Sequence, residues 1–371
     1  MKEYRLNMLS RADMVKGQGV LSAYEEELRL ISGRLDRRKG DSGDFKLNIS
    51  INDKIDGDIT HIHTVNPEFF LRLPAIKSKG IAVGSVHFLP ETVDQSLHLP
   101  SVARQAFYSY LISFYKSMDR LVTVNPCFIP KLAAYGIDPQ KVTFIPNYVS
   151  GSVFSTVDRR QVKELRSSWG LDPERFTVVC AGQLQTRKGV LEFAQIAKAL
   201  PQMQFVWAGD FAFGGMSDGH KELEKLLHDH SDNLHFTGLI ERAKMPQLYQ
   251  LGDVMLLPSY DELFPMTVLE AMSKPILLRD LSLYQVILDG YYLKAADNRQ
   301  FIAQLVQLSR DETYYARACE MSARGNRFYS EEHVLGMWQE FYHLCLQESL
   351  QRQSERRRRS PVVQLAGGGW R

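Results

Sequence analysis

Two glutamates, Glu262 and Glu270, are separated by seven residues at the predicted junction of a loop and a helix. The turn-prone segment Ser259–Asp261 precedes the first, and the segment 267–272 is typical of a helix. Backbone N–H groups at the start of a helix can hold a diphosphate. Carboxylates can accept hydrogen bonds from the hydroxyl groups of a sugar or a ribose. The pattern therefore indicates a binding element for a sugar nucleotide, and two unrelated glutamates on a solvated helix are the alternative.

Two adjacent cations, Arg187 and Lys188, lie between a predicted strand and a predicted helix. Cations at this position can pair with the negative charge of a bound diphosphate. No metal-ligand motif is evident, so we expect no metal. Gly182, at the end of the same strand, would allow a close approach of the backbone. The alternative is a solvated pair of loop cations.

A glycine pair and a histidine follow two predicted strands of the first half of the chain. Gly17 and Gly19 lie between the first strand and a helix, and His87 follows a strand that begins near Ile81. Ligands of open α/β sheets bind at the carboxyl ends of the strands, so these residues are candidates for a ligand site. A simple turn and a structural histidine are the alternatives. After Gly19 no Gly-x-Gly-x-x-Gly pattern develops, which argues against an NAD dehydrogenase.

The elements that position these residues alternate between strand and helix along the chain, which indicates an α/β fold with parallel sheets. The predicted strands are 6–9, 59–63, 80–87, 121–125, 142–145, 177–181, 204–208, 234–236, 254–257 and 276–278. We predict a first domain over 1–150, a second over 151–330 and a C-terminal helix over 331–353. The tail 354–371 contains a run of four arginines and three glycines, and we expect it to be disordered.

The composition sets limits on the class of protein. A chain of 371 residues, 44% hydrophobic and 24% charged, is long enough for two globular domains. A net charge of +2 gives no signal for nucleic acid as a partner. The four scattered cysteines form no metal motif and fit a reducing cytoplasm. Because we find neither a signal peptide nor an apolar run long enough to span a membrane, we expect any membrane contact to be peripheral.

The second half, from Val178 to Gly290, resembles family 4 of the retaining glycosyltransferases, whose fold is GT-B. The matching pieces are Ala181–Leu184, Arg187–Gly189, Trp207–Asp210, Phe236–Gly238, Met245–Tyr249, Asp253–Ser259 and Glu262–Met272. The resemblance implies two Rossmann-like domains that face each other across a cleft, with the C-terminal helix packing back toward the N-terminal domain. One departure is the segment Arg279–Tyr284, which stands where the family commonly has Gly-Gly-x-x-Glu.

The resemblance also implies roles for the candidate residues. Glu270 would hold the ribose, Glu262 would lie near the donor sugar, and His87 would contact that sugar near the reaction centre. The segment from Phe264 to Val268 would supply backbone amides, with Thr267 and Val268 as donors to the diphosphate. The glycines of the first loop, Gly17 and Gly19, would let the backbone pass close to the same diphosphate, beside Gly182, Arg187 and Lys188.

The acceptor is indicated by the helix predicted over 101–118, which carries five aromatic residues and the cations Arg104 and Lys116, with Arg120 nearby. Aromatics with cations and no carboxylates suit an anionic membrane interface, and a core-packed helix is the alternative. Segments such as Val86–Glu91 and Phe114–Tyr115 resemble bacterial glycolipid synthases that add a second hexose to glucosyl-diacylglycerol, as in the lipoteichoic acid anchors of Gram-positive membranes.

The sequence therefore predicts a retaining hexosyltransferase that moves glucose or galactose from a UDP-sugar to a glycosyl-diacylglycerol at the cytoplasmic face of the membrane. The resemblance also leaves open a soluble or polyprenyl-linked acceptor. A non-catalytic protein that binds sugar nucleotides or membranes is the alternative of another class. The sequence does not distinguish glucose from galactose and gives no oligomeric state.

Overall fold

The computed structural model describes residues 2–12, 19–32, 34–35, 45–93, 101–150, 158–211, 219–262, 264 and 266–359. By contacts the chain divides into two units, one up to Pro146 together with the chain from Leu335, and the other Asn147–Val334. Each unit is built on a six-stranded parallel sheet with helices in the connections, so the predicted α/β class is confirmed. The division places the C-terminal helix, predicted as a separate element, largely with the first unit.

The first sheet has the strand order β2-β1-β3-β4-β5-β6. Its strands are β1 (Lys2–Leu9), β2 (Phe45–Ile51), β3 (Ile59–Ile62), β4 (Ile81–Val86), β5 (Arg120–Thr123) and β6 (Val142–Phe144). Its helices are α1 (Gly19–Ile31), α2 (Pro67–Lys79), α3 (Pro90–Val93), α4 (Ser101–Lys116) and α5 (Phe128–Ala134). All residues of β3 and β4 are buried, as expected for central parallel strands covered on both faces.

The second sheet has the order β12-β11-β10-β7-β8-β9. Its strands are β7 (Thr177–Ala181), β8 (Gln204–Ala208), β9 (Leu234–Phe236), β10 (Val254–Leu257), β11 (Ile276–Arg279) and β12 (Leu293–Ala295). The helices that follow Asn147 are α6 (Arg159–Ser168), α7 (Val190–Ala199), α8 (His220–His228), α9 (Met245–Leu251), α10 (Met266–Glu270), α11 (Ser282–Ile287), α12 (Asn298–Arg310), α13 (Glu312–Phe328) and α14 (Glu331–Arg359).

Helix α14 packs within the first unit through charged and aromatic side chains. Arg352 forms an ion pair with Asp119 at 3.0 Å, and the Arg120 guanidinium is bonded to Glu348, with its Nε 3.0 Å from Oε1. These contacts confirm that the C-terminal helix packs on the N-terminal domain. The expected disorder from residue 354 is wrong for 354–359, which continue α14. The remainder of that tail lies outside the described residues.

Two of the five aromatic residues of α4, Phe114 and Tyr115, lie in the core of the first unit. Leu111, Phe114 and Tyr115 are at most 1% exposed, and the Tyr115 hydroxyl donates to the Phe88 carbonyl at 3.0 Å. For Phe114 and Tyr115 the core-packed alternative is what the structure shows, whereas Phe107, Tyr108 and Tyr110 are partly exposed and a lipid contact of the helix stays a prediction. Arg120, expected at lipid headgroups, is instead held by Glu348 and by the Gln140 carbonyl.

Replacing Phe114 by serine is therefore expected to destabilise the fold. Truncating a buried phenylalanine costs about 3–5 kcal/mol, and the serine hydroxyl would be buried as well. Chemical denaturation should show this loss, whereas Gln105→Ser, at an exposed position of the same helix, should change stability little. A Phe114→Ser protein as stable as the wild type would contradict the core assignment.

Candidate active site

The second sheet reverses its strand order between β7 and β10. These strands are neighbours, and the chain leaves them toward opposite edges, to β8 on one side and to β11 on the other. The loops after their carboxyl ends are therefore not covered by a crossover helix, and such a switch point is where open α/β sheets bind ligands. Arg187 and Lys188 lie on the loop after β7, and Glu262 lies on the loop after β10.

Backbone geometry holds these two loops together. Residues Thr186–Lys188 form one 3-10 turn that ends at Gly189, whose φ of 75° is left-handed. A Cβ atom on Gly189 would lie 2.4 Å from the Pro258 carbonyl oxygen, so only glycine fits there. The Tyr260 amide donates to the Arg187 carbonyl at 2.8 Å, and the Arg187 guanidinium donates to the Asp261 carbonyl at 3.3 Å. The two loops thus form one continuous surface.

Lys188 and Glu262 form an ion pair on that surface. The Lys188 Nζ atom lies 2.6 and 2.8 Å from the two carboxylate oxygens of Glu262, and the side chains are 16% and 5% exposed. The carboxylate fixes the direction of the ammonium group, which has three N–H donors. Since a buried charge without a partner is costly, each residue depends on the other to keep its charge in this position.

The second glutamate of the predicted pair, Glu270, is 1% exposed and already has partners. Its Oε2 atom accepts a hydrogen bond from the Tyr249 hydroxyl at 2.8 Å, and its Oε1 atom is bonded to the Arg242 guanidinium. Burial and the neighbouring carboxylate raise the pKa of Tyr249, which therefore remains a donor. Each carboxylate oxygen has two lone pairs, so Glu270 retains the capacity to accept a ribose hydroxyl.

Sequence reasoning did not single out Arg242 or Tyr249 as site residues. Arg242 precedes α9, its side chain is 65% exposed, and it lies 28 positions before Glu270 in the chain. Tyr249 belongs to a segment that matched the family, which was the only signal available for it. The sequence alone does not show that Arg242 and Tyr249 lie beside Glu270, because that proximity arises from the packing of α9 against the second sheet.

The predicted diphosphate donors lie in the first turn of α10. Thr267 and Val268 are its second and third residues, where backbone N–H groups have no intrahelical acceptor. Because α10 has only five residues, its dipole adds little, and their role stays a prediction. Phe264 packs against Tyr329, with ring centroids 6.1 Å apart, whereas Leu263 and Pro265 lie outside the described residues.

Gly182, which was expected to allow a close approach of the backbone to a diphosphate, has room for a side chain. A Cβ atom on Gly182 would make only ordinary contacts, 3.7 Å from Trp207 and 3.9 Å from Lys188. Gly209, by contrast, has a φ of 139°, and its Cβ atom would lie 2.0 Å from the Gly182 carbonyl oxygen. The requirement for glycine is therefore at Gly209, after β8, and the approach of Gly182 to a diphosphate remains untested.

Arg279 supports the loop that carries Glu262. Its guanidinium lies over the Tyr260 ring, with Cζ 4.0 Å from the centroid, and its Nε donates to the Pro258 carbonyl at 3.0 Å. The Tyr260 hydroxyl donates in turn to Glu192 at 2.7 Å. Arg279 begins the segment Arg279–Tyr284, which departs from the family pattern. That departure was the signal in the sequence that could have drawn attention to Arg279.

His87, after β4, has a buried Nε2 atom with no hydrogen-bond partner among the residues that the structure describes. Burial lowers the pKa of His87 to about 4, so the ring is neutral at pH 7. A neutral imidazole can donate one hydrogen bond and accept another, which suits contact with sugar hydroxyls. Gly19 is the first residue of α1, and Gly17 lies outside the described residues.

Three further residues near His87 have the types that bind metals. Potential ligand atoms of Glu27, His61 and His63 all lie within 4.8 Å of one another, and a carboxylate with two imidazoles suits a transition metal. Both ring nitrogens of His61 already have hydrogen-bond partners, however, at 2.7 Å to Tyr342 and 2.8 Å to Ser85. The group is therefore a hydrogen-bonded network in this structure.

Comparisons with known proteins bear on the family and on the fold. The family model described as "Glycosyl transferases group 1" matches residues 175–311. The alpha-galactosylglucosyldiacylglycerol synthase of Streptococcus pneumoniae (strain ATCC BAA-255 / R6) is 42% identical over 343 residues, which cover 92% of this chain and 90% of the synthase. The processive diacylglycerol alpha-glucosyltransferase of Acholeplasma laidlawii is 22% identical over 69% of this chain and 76% of that protein.

Among solved structures, Anabaena Alr3699/HepE in complex with UDP-glucose has a TM-score of 0.67 at 12% identity, covering 92% of this chain and 99% of that one. At this identity the likeness concerns the fold, which is GT-B. The identity to the pneumococcal synthase, across nearly all of both chains, shows descent from a common ancestor. The chain belongs to the glycosyl transferases group 1 family, as a GT-B hexosyltransferase related to the synthases of glycosyl-diacylglycerols.

Proposed function

We propose that the protein transfers a hexose from a UDP-sugar to a glycosyl-diacylglycerol at the cytoplasmic face of the membrane. The observation that carries the proposal is the Lys188–Glu262 ion pair at the switch point of the second sheet, beside Arg187. The name of the pneumococcal relative describes a product with both a galactosyl and a glucosyl group on diacylglycerol. It supports galactose as the hexose and glucosyl-diacylglycerol as the acceptor.

The proposed chemistry uses positive charge without a dedicated catalytic base. When the bond between the sugar and UDP breaks, negative charge develops on the diphosphate, and Lys188 and Arg187 are proposed to stabilise it. The acceptor hydroxyl attacks the anomeric carbon from the face that UDP leaves, and its proton passes to the departing diphosphate. The new glycosidic bond then has the configuration of the donor, and UDP carries the proton away.

The acceptor chemistry places the reaction at a lipid surface, because two acyl chains keep a glycosyl-diacylglycerol in the bilayer. Among the helices that the structure describes, none is long and apolar enough to cross a membrane. We therefore infer peripheral contact with anionic lipid. Arg104 and Lys116 are on the exposed side of α4 and support this contact, although Phe114 and Tyr115 of that helix face inward.

A donor and acceptor screen with the purified protein tests the proposal. Vesicles that contain glucosyl-diacylglycerol should accept hexose from UDP-galactose or UDP-glucose, and NMR of the product should show the anomeric configuration of the donor. Protein that co-sediments with the vesicles should increase with anionic lipid and decrease with added salt, because surface attraction is screened. Transfer only to a soluble or polyprenyl-linked saccharide would contradict the acceptor, and binding without transfer would contradict the enzyme.

Lys188→Ala should lower turnover by about 100-fold or more, because it removes charge stabilisation that grows in the transition state. It also leaves Glu262 without its partner, which costs up to about 3–5 kcal/mol for a buried pair. The double variant Lys188→Ala with Glu262→Gln should regain stability without regaining turnover. The exposed Lys198→Ala is the matched control. Near-normal turnover of a folded Lys188→Ala protein would remove Lys188 from the site.

Glu270→Gln should weaken the binding of UDP, because the ribose loses a charged acceptor. A hydrogen bond to a charged group is worth about 1.5–3 kcal/mol, so the Kd for UDP should rise by about ten-fold or more. Calorimetry with UDP measures this, and Glu222→Gln, at an exposed position of the same unit, serves as control. If Glu270 only holds Arg242 and Tyr249, the variant will lose stability while its affinity for UDP stays unchanged.

A further inference from the structure

Tyr260 lies between two charged side chains that come from distant parts of the second unit. Its hydroxyl donates at 2.7 Å to Oε1 of Glu192, on α7, and its ring lies against the guanidinium of Arg279, at the end of β11, with Cζ 4.0 Å from the ring centroid. Its backbone amide donates to the Arg187 carbonyl at 2.8 Å. Tyr260 therefore contacts α7, β11 and the loop after β7, and it stands two positions before Glu262.

The Arg279 guanidinium is a fixed support for that ring. Arg279 is 8% exposed, and its Nε and Nη1 atoms donate to the Pro258 and Ala296 carbonyls, both at 3.0 Å. Two bonds to backbone carbonyls hold the planar guanidinium in one orientation, and a cation over the face of an aromatic ring is attracted to it. The plane of the Tyr260 ring is therefore set by the backbone that directly follows β10 and β12.

No ion pair in the described part of the chain joins Arg279 to Glu192, although both border one cavity of about 390 Å³. Each has a buried polar atom, Nη2 of Arg279 and Oε2 of Glu192, without a hydrogen-bond partner among the residues that the structure describes. An unsatisfied buried group is costly, and a direct ion pair would satisfy both atoms. The Tyr260 side chain contacts both residues instead. Departures of this kind from the most stable arrangement are expected at positions that serve function.

Tyr260 also makes a short backbone contact between the two loops of the candidate site. Two other contacts between these loops are longer: the Ser259 hydroxyl donates to the Lys188 carbonyl at 3.4 Å, and the Arg187 guanidinium donates to the Asp261 carbonyl at 3.3 Å. The bond from the Tyr260 amide, at 2.8 Å, has the usual length for an N–H donor and a carbonyl. The backbone at Tyr260 therefore determines how the two loops are aligned.

We propose that Tyr260 is a positioning residue, which aligns the loop that carries Glu262 with the turn that carries Lys188 and is itself held by Arg279 and Glu192. The proposal rests on the proposed function, in which Lys188 stabilises the departing diphosphate. Displacing a group at the site by about 1 Å can lower the rate by about a hundred-fold. Because Tyr260 is 50% exposed, its ring adds little to the core, so its loss should change the alignment more than the stability of the unit.

Two substitutions of Tyr260 separate the role of its hydroxyl from that of its ring. Tyr260→Phe removes the bond to Glu192 but keeps the contact with Arg279, and should lower kcat by about three- to ten-fold. Tyr260→Ala removes both contacts and should lower kcat by about 30- to 100-fold. The KM for the UDP-sugar and Tm should change far less in both variants. Tyr291→Phe is the matched control, since Tyr291 is a partly buried tyrosine of the same unit whose hydroxyl makes no hydrogen bond to the described residues.

Glu192 allows a test by rescue. Glu192→Gln keeps an oxygen that accepts from the Tyr260 hydroxyl, whereas Glu192→Ala keeps none. Glu192→Gln should therefore retain most of kcat, and Glu192→Ala should lose as much as Tyr260→Phe. Glu222→Ala, at an exposed position of the same unit, is the control. Equal losses in the two Glu192 variants would show an effect of the charge rather than of the bond to Tyr260, against the proposal.

A double substitution shows whether Tyr260 acts through Glu262. Glu262→Ala removes the partner of Lys188, so the alignment that Tyr260 provides has no further effect on the pair. Adding Tyr260→Ala to Glu262→Ala should thus lower kcat by less than about three-fold, because the effects of residues that act as one unit are not additive. If Tyr260→Ala causes its full loss in the Glu262→Ala background, Tyr260 acts independently of the pair and the proposal is wrong.

Hydrogen exchange of the two loops gives a readout that does not depend on transfer. Tyr260→Ala and Glu192→Ala should both increase the exchange of backbone amides in 183–190 and 257–262, because the loops separate more often. Tyr291→Phe and Glu192→Gln should exchange like the wild type. Faster exchange over the whole second unit, together with a lower Tm, would mean a general loss of stability and would overturn the proposal.

Unchanged kcat or unchanged loop exchange in a folded Tyr260→Ala protein would also overturn the proposal. If Tyr260→Ala does not fold, Tyr260→Phe, which keeps the ring, decides by the same measurements. If the wild type itself transfers no hexose, the proposed function fails, while the exchange comparison still decides whether Tyr260 aligns the two loops.

Discussion

The ion pair between Lys188 and Glu262 joins two loops that come from strands far apart in the chain. Lys188 follows β7 and Glu262 follows β10, and the pair is nearly buried. Parallel strands need long crossovers, so the loops of neighbouring strands meet only where the order of the sheet reverses. The pair, the left-handed Gly189 and the stacked Tyr260 all depend on that reversal. The topology of the sheet thus determines which residues meet at the site.

The second glutamate, Glu270, is also held by partners from a distant part of the chain. Glu270 is buried, and Arg242 and Tyr249 both donate to its carboxylate. Removing one partner of such a group is costly, whereas adding a further donor is not, since lone pairs remain. Both carboxylates have a cation beside them before any substrate arrives, and Glu270 also has the Tyr249 hydroxyl group. In a site held in this way, the binding of a charged ligand requires little reorganisation of the side chains.

Much of the fold was predictable because strand signals were local. The segments 204–208, 234–236 and 254–257 are strands with the predicted bounds, as short apolar runs between turn residues. Strand β2 was missed because polar residues alternate along it at the edge of the sheet, and β12 because three residues carry no pattern. The pairs that join Glu270 to Arg242, and Glu27 to His61, were not predictable, because spacing along the chain does not reveal which loops and helices meet. The aromatics of α4 were ambiguous for a related reason, since the sequence shows their period but not which side is covered.

Helix α14 makes the first unit discontinuous in sequence. Tyr342, Glu348 and Arg352, which bind His61, Arg120 and Asp119, are all synthesised after the whole of the second unit. Domains commonly fold as units while the chain leaves the ribosome, the N-terminal one first. Here the order is expected to be reversed: Asn147–Val334 has its sheet complete before the earlier unit has its last helix. Until then Asp119 has Lys77 and the Ala82 amide but not Arg352, and His61 has Ser85 but not Tyr342, so the early part of the chain gains its last contacts only after α14 has been made.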